Sequence, residues 1–236
     1  MSEQPTPPHK SVGQSGRAAR ASGGGRRSAP KAAPQRVADS RLGARSLLKL
    51  AVFLFAASCG GGRFDAPKNL DDACAIVAER PRYLTAMRQA ERRWGIPVPV
   101  QMATIHQESK FIGDARTPHQ YVLGVIPIGR QSSAYGYSQA IDDTWSDYQK
   151  ATGKRGARRD RIADATDFMG WYMNGSSEAL GISKSDAESQ YLAYHEGRGG
   201  FSRGTHFSKP WLLSVAVKVG ARADRYRSQL AACGKL

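Results

Sequence analysis

From Leu70 to the C-terminus, apolar residues recur three and four positions apart, the period of helices with one buried face. Asp71 and Asp72 are placed to cap a short helix that ends at Arg80, before Pro81. A second helix is expected from about Arg82 to Trp94, stopping at Gly95, and a third from near Val100, with Met102, Ile105 and Glu108 on one face. Ile162, Ala165, Phe168, Met169, Tyr172 and Met173 predict another that ends at Asn174 and Gly175. Ser185 or Asp186 opens the next, through Ala187, Tyr191 and Tyr194. The clearest pattern runs from Lys209 to about Leu230, with Leu212, Val215, Val219, Tyr226 and Leu230 as an inner stripe. No period-two strand stands out, and the apolar run Tyr121 to Pro127 fits either a hairpin or a loop. There is no internal repeat, so residues 70–236 are expected to form a single mainly α domain.

The first quarter of the chain follows a different pattern. Residues 1–46 hold no Phe, Trp or Tyr and are rich in Arg, Ala, Gly, Ser and Pro, so they cannot bury enough apolar surface to offset ordering of the backbone. They are expected to be a disordered basic tail. Arg45 and Lys49 then precede the apolar run Leu50 to Phe55 and the small residues Ala56, Ala57, Ser58, Cys59 and Gly60. A basic flank, a short apolar stretch over 47–58 and a small-residue site form the pattern of a secretory signal, too short to span a bilayer stably. The segment resembles a bacterial lipoprotein signal, in which Cys59 would carry lipid, although Ala56 stands where Leu is usual. Gly60 after the cysteine resembles lipoproteins sent to the outer membrane. This implies a periplasmic protein anchored to a membrane through Cys59, with 59–69 as a linker. So long a tail before a signal also suggests that translation starts downstream, for instance at Val37 or Leu42.

Charge and cysteines refine this picture. The net charge is +15, but residues 1–58 contribute 10 basic and 2 acidic side chains, so about half the surplus lies outside the expected domain. A nucleic-acid partner is therefore not expected, and the 40% hydrophobic content excludes a multi-span membrane protein. If Cys59 is acylated, Cys74 and Cys233 are left as the one disulfide pair, tying the ends of the domain in an oxidising compartment; the alternative is two free thiols. No Cys/His spacing suggests zinc, and His106-Gln107-Glu108 lacks the second His of a metalloprotease motif, so no metal or cofactor is expected. Lys154, Arg155, Arg158, Arg159 and Arg161 read as a solvated helix start. Trp94, Trp145, Trp171 and Trp211 read as core.

Three short segments carry candidate chemistry. In Ile105 to Phe111 an acid, Glu108, ends an apolar helix and is followed by Ser109; apolar neighbours disfavour the ionised carboxyl, as a general acid near neutral pH requires. In Ala134 to Gln139, Gly136 allows close backbone approach and Gln139 offers an amide that donates and accepts. In Tyr191 to Gly197 an aromatic helix end is followed by Gly199 and Gly200. The order Glu-Ser, Gly-x-x-Gln, Ala-Tyr-x-x-Gly, between an initial helix pair and a long final helix, resembles the soluble lytic transglycosylase (SLT) domain of the lysozyme-like superfamily, over roughly residues 74–233.

That resemblance implies a lysozyme-like fold related to goose-type lysozyme, with a cleft for peptidoglycan glycan strands, acting as a monomer. It implies Glu108 as single acid/base, cleaving the N-acetylmuramic acid to N-acetylglucosamine β-1,4 bond with formation of 1,6-anhydromuramoyl ends. Ser109, Gly136, Tyr137, Gln139, Tyr194 and Glu196 fall at positions implied to touch substrate, with Tyr194 orienting the glutamate or the acetamido group. The sequence departs from the family in three places. The Glu108 to Gly136 spacing is lengthened by Tyr121 to Ser133, Tyr137 and Ser138 replace Leu-Met, and His195 and Glu196 replace Asn-Ala. Glu196 or Asp114 as a second carboxylate would favour lysozyme-like hydrolysis. A further alternative is a catalytically silent peptidoglycan-binding lipoprotein.

Overall fold

Capping residues and helix breakers set most element boundaries. In the computed structural model, which describes residues 64–236 except Gly124, Asp72 caps α1 (Ala73–Glu79) by accepting from the Cys74 and Ala75 amides at 2.8 and 3.1 Å. The tail 1–46, the apolar segment 47–58 and Cys59 lie outside the described residues. Pro81 opens α2 (Pro81–Trp94), where its missing N–H costs nothing, and Gly95 ends it with φ +78°. Helix α3 (Val98–Ser109) is buried on nearly every side as far as Ile105.

Two helices depart from the sequence pattern. The sequence pattern contains no helix between the hairpin run and Ile162, yet α4 (Asp142–Thr152) is present, with Asp142 and Asp143 in its first turn and Gly153 ending it. Only Trp145 and Tyr148 of its residues are buried, too few to mark a helical period. Helix α5 (Ile162–Leu180) runs through Asn174 and Gly175 and stops only at Gly181, φ +70°. A single mid-helix glycine costs about 1 kcal/mol, and burial of Met173 and Ser176 on either side offsets it.

Asp186 caps α6 (Ala187–Ser202), a 3₁₀ turn spans Thr205–Ser208, and α7 (Pro210–Ala232) closes the chain. Helix α2 packs along α5, and α7 packs against both α3 and α6. The Tyr121 to Pro127 run forms an antiparallel hairpin, β1 (His119–Val122) with β2 (Ile126–Arg130), bulged between Gln120 and Tyr121. Among the described residues the structure is thus seven α-helices and one two-stranded sheet, a mainly α architecture as expected.

The core has two parts. One joins Met87, Met102, Ile105, Met169, Leu212 and Tyr226 across α2, α3, α5 and α7. The other is aromatic, built on Trp145, Tyr148 and Phe168, and Tyr194 packs against both. The two ends of the described chain meet at α7. Cys74 and Cys233 are bonded, with Cα atoms 6.5 Å apart and a sequence separation of 159. Such a link typically contributes about 2–5 kcal/mol. The Gln229 side chain also accepts from the Ala73 amide at 2.9 Å.

The basic cluster is not a free solvated face. Lys154 pairs with Asp167 at 2.7 Å, Arg158 with Asp160 at 2.7 Å, Arg159 with Asp142 at 2.7 Å and Arg161 with Asp164 at 3.4 Å. Of the four tryptophans only Trp145 is buried, and Trp211 is 57% exposed. It stands edge-on to His195, ring centroids 5.3 Å apart.

Candidate active site

Helix α3 delivers Glu108 to its own C-terminal turn, where the preceding turns are apolar and the helix dipole presents its negative end. The carboxyl opens onto a cleft of about 590 Å³, lined also by Gln139, Phe168, Tyr172, Tyr194 and His195. Burial pushes its pKa up to about 7, while hydrogen bonding from the Tyr191 hydroxyl and the charge of Lys110 hold it from rising further. A substantial share of Glu108 is therefore protonated at neutral pH, with the conjugate base equally accessible.

The other motif residues build the walls of this cleft. The Ser109 hydroxyl, in a buried residue, donates to the Tyr137 carbonyl at 2.9 Å, which fastens the first motif to the second and leaves it no proton for a sugar. Lys110 and Phe111 follow with φ of +53° and +62°, a turn that costs about 1–3 kcal/mol per residue. Phe111 is fully buried and stacks on Tyr83, which meets Tyr137 edge-on. The Tyr137 hydroxyl pairs with that of Tyr83 at 3.1 Å, so a tyrosine is accommodated where the related pattern has Leu. Tyr137 is thus a packing residue and does not line the cleft. Gly136 has φ +78°, and a Cβ there would lie 2.2 Å from the Arg159 carbonyl oxygen. Its small size serves chain packing, and no ligand contact is needed to explain it.

Gln139 does line the cleft, but its amide N–H groups are spent on the Ala115 and Gly136 carbonyls at 3.0 and 2.8 Å. What remains is an acceptor, so the expected donor role is lost. Tyr194 donates to the Ser138 carbonyl at 2.6 Å, tying the third motif to the second. Its own pKa is raised well above the usual phenol value by burial and then by the nearby Glu108 charge. The hydroxyl that hydrogen-bonds Glu108 is instead that of Tyr191, one turn earlier on α6. Tyr191 lies at i−3 from Tyr194, on the same helix face, a spacing that could have marked it from sequence.

Glu196 has a different environment. Lys209 donates to both its oxygens at 2.7 and 2.8 Å, Thr205 donates at 2.5 Å, and His195 Nδ1 lies 3.1 Å away. Gly197, φ +73° and ψ 158°, kinks α6 directly after Glu196. The Lys209 and Thr205 hydrogen bonds hold its pKa down at about 2. Its acceptor sites are thus occupied from within the protein, against the expected substrate contact. Asp114 sits exposed in a turn outside the cleft. Nothing in the sequence marks Lys209 as the partner of Glu196, because the 3₁₀ turn and the kink that join them follow no simple period. Among the described residues, no group of three or more His, Cys, Asp or Glu is arranged to hold a metal.

The family described as Transglycosylase SLT domain matches this chain over residues 47–233. No curated protein matches it.

Proposed function

Because the chain belongs to the transglycosylase SLT domain family, whose type of activity acts on peptidoglycan, we propose that it is a lytic transglycosylase in which Glu108 alone serves as acid and base. The observation that carries this reading is the contrast within one cleft: a carboxyl with a pKa near 7 and a second carboxylate fully engaged by Lys209 and Thr205.

Protonated Glu108 gives its proton to the glycosidic oxygen between N-acetylmuramic acid and N-acetylglucosamine, and the bond from that oxygen to muramyl C1 breaks. The substrate acetamido group stabilises C1 in place of a carboxylate nucleophile. The Glu108 carboxylate then takes the proton of the muramyl C6 hydroxyl as O6 bonds to C1, closing the 1,6-anhydro ring. The proton returns to Glu108 and no water is consumed. Tyr191 holds the carboxyl in place, Tyr194 lines the cleft beside it, and the Gln139 amide oxygen accepts from substrate. Hydrolysis through Glu196 is disfavoured because its oxygens already accept from Lys209 and Thr205, and a carboxylate with a pKa near 2 is a weak base for activating water. Anchoring through Cys59 and export to the periplasm belong to the same reading, supported by the signal-like sequence and by a disulfide suited to an oxidising compartment.

Mass spectrometry of material released from purified cell walls tests this. Anhydromuramoyl ends from the wild type and none from Glu108→Gln are expected. Reducing ends would replace the mechanism with hydrolysis, and no release would favour a silent binding protein.

A further inference from the structure

The hairpin β1–β2 is apolar on both of its faces. Val122 and Ile126 are cross-strand partners and so share one face, while Tyr121, the next residue along the strand, points to the other. All three are exposed, as is Ile128 beside the bulge. At the tip Leu123 is 86% and Val125 75% exposed. A protein partner laid against a two-stranded ribbon covers one face, for which alternating apolar and polar residues suffice. A ribbon apolar on both faces and at its tip is suited to surroundings that are apolar on all sides.

The charge around it points the same way. Residues 115–141 contain no Asp or Glu, and Arg116, His119 and Arg130 lie at the base of the hairpin. Arg130 is braced there by a 2.6 Å hydrogen bond to the Thr117 carbonyl, and Arg116 lies over the Tyr135 ring at 4.2 Å. An apolar tip, a tyrosine beside it and two arginines behind it match the layers of an anionic membrane surface: acyl chains, the interface, then phosphates. Among the described residues the ribbon's outer edges carry backbone groups with no strand partner, which bars it from the hydrocarbon core and limits it to a shallow position, about 5–10 Å deep.

We infer that the hairpin tip is a membrane-docking element that inserts Leu123 and Val125 into an anionic lipid surface. Thr117 and Ser132, which flank the hairpin, also line the cleft, so docking sets the cleft beside the bilayer. This contact is separate from any lipid on Cys59 and does not depend on the reaction proposed above.

The test uses the full chain carrying Cys59→Ser, with an environment-sensitive fluorophore on Leu123→Cys or, as control, on Ser228→Cys in α7; the Cys74–Cys233 disulfide leaves no other thiol to label. Phosphatidylglycerol vesicles are expected to give a blue shift and a several-fold rise in emission at position 123 and neither at 228. Neutral phosphatidylcholine vesicles are expected to give a weaker response, and salt to reduce the anionic one. Three outcomes would overturn the inference: no response to any vesicle, a response to purified cell wall in the absence of lipid, which would make the tip a substrate contact, or a response that grows with protein concentration alone, which would make it an interface between copies.

Discussion

Glu108 and Glu196 line the same cleft, yet one is held near pKa 7 and the other near 2. Both are carboxylates on helices, so the difference comes from their partners. Glu108 has a single phenol as hydrogen-bond donor, with Lys110 acting through its charge, and burial prevails. Glu196 receives an ammonium and a hydroxyl, and they outweigh burial. Asp167 repeats the second arrangement in the core, where Lys154, Tyr148 and Trp94 donate to it; burial raises its pKa, but those bonds bring it below the usual value. In this fold a carboxyl that titrates near neutrality is made by withholding donors from a buried acid, and one that stays ionised by supplying them.

Removing the carboxyl of Glu108 is the most severe way to break the contrast. Glu108→Gln is expected to lower glycan cleavage by about 100- to 10,000-fold, read as release of soluble fragments from cell wall. The same variant is expected to be more stable than wild type at high pH. The native pKa lies above the unfolded value, so the native state loses stability as pH rises from about 4.5 to about 7, a loss the amide escapes. At pH 8 the gain is about 3 kcal/mol, and below pH 4 it vanishes, which thermal unfolding at the two pH values measures.

Removing the cation from Glu196 comes next. Lys209→Met is expected to cost about 2–4 kcal/mol at pH 7 by leaving a buried carboxylate short of a donor. Since the Glu196 pKa is depressed in the native state, the pair contributes fully above about pH 4.5, and its contribution is lost as pH falls toward 2. Denaturant melts of wild type and variant should therefore converge across that interval.

The contrast also shows what a sequence can reveal about such a site. The acid was legible, because an apolar helix ending in Glu-Ser marks a carboxyl about to be desolvated, and two further motifs in order placed it in a cleft. The helix ends at Gly95 and Asp186 were legible from caps and breakers. Helix α4 was not, because its two buried residues define no period, and neither was the end of α5, because Gly175 reads as a stop until packing on both sides is known. The division of labour between Tyr191 and Tyr194 depends on which hydroxyl reaches the carboxyl and which reaches the Ser138 carbonyl, and spacing alone does not separate them. Ser109, Gly136 and Tyr137 were marked by motif as substrate contacts, yet their neighbours show them holding the cleft walls together.

Smaller perturbations sharpen the comparison. Tyr191→Phe removes the hydrogen bond that lowers the Glu108 pKa, so the alkaline limb of the kcat profile should move to higher pH while kcat at the optimum falls by about tenfold or less. Glu196→Gln should leave cleavage within about threefold of wild type, with anhydro ends still formed, because it removes no interaction with the reacting atoms.

This cleft holds one carboxyl poised to exchange a proton near neutral pH and one that is not. Carbon-13 NMR of the glutamate side-chain carboxyls, titrated from pH 3 to 9 and assigned with Glu108→Gln and Glu196→Gln, measures both at once. The Glu108 resonance is expected to titrate near pH 7, while Glu196 stays ionised throughout. A Glu108 midpoint at the ordinary value near 4.5, or a Glu196 midpoint near neutrality, would contradict it.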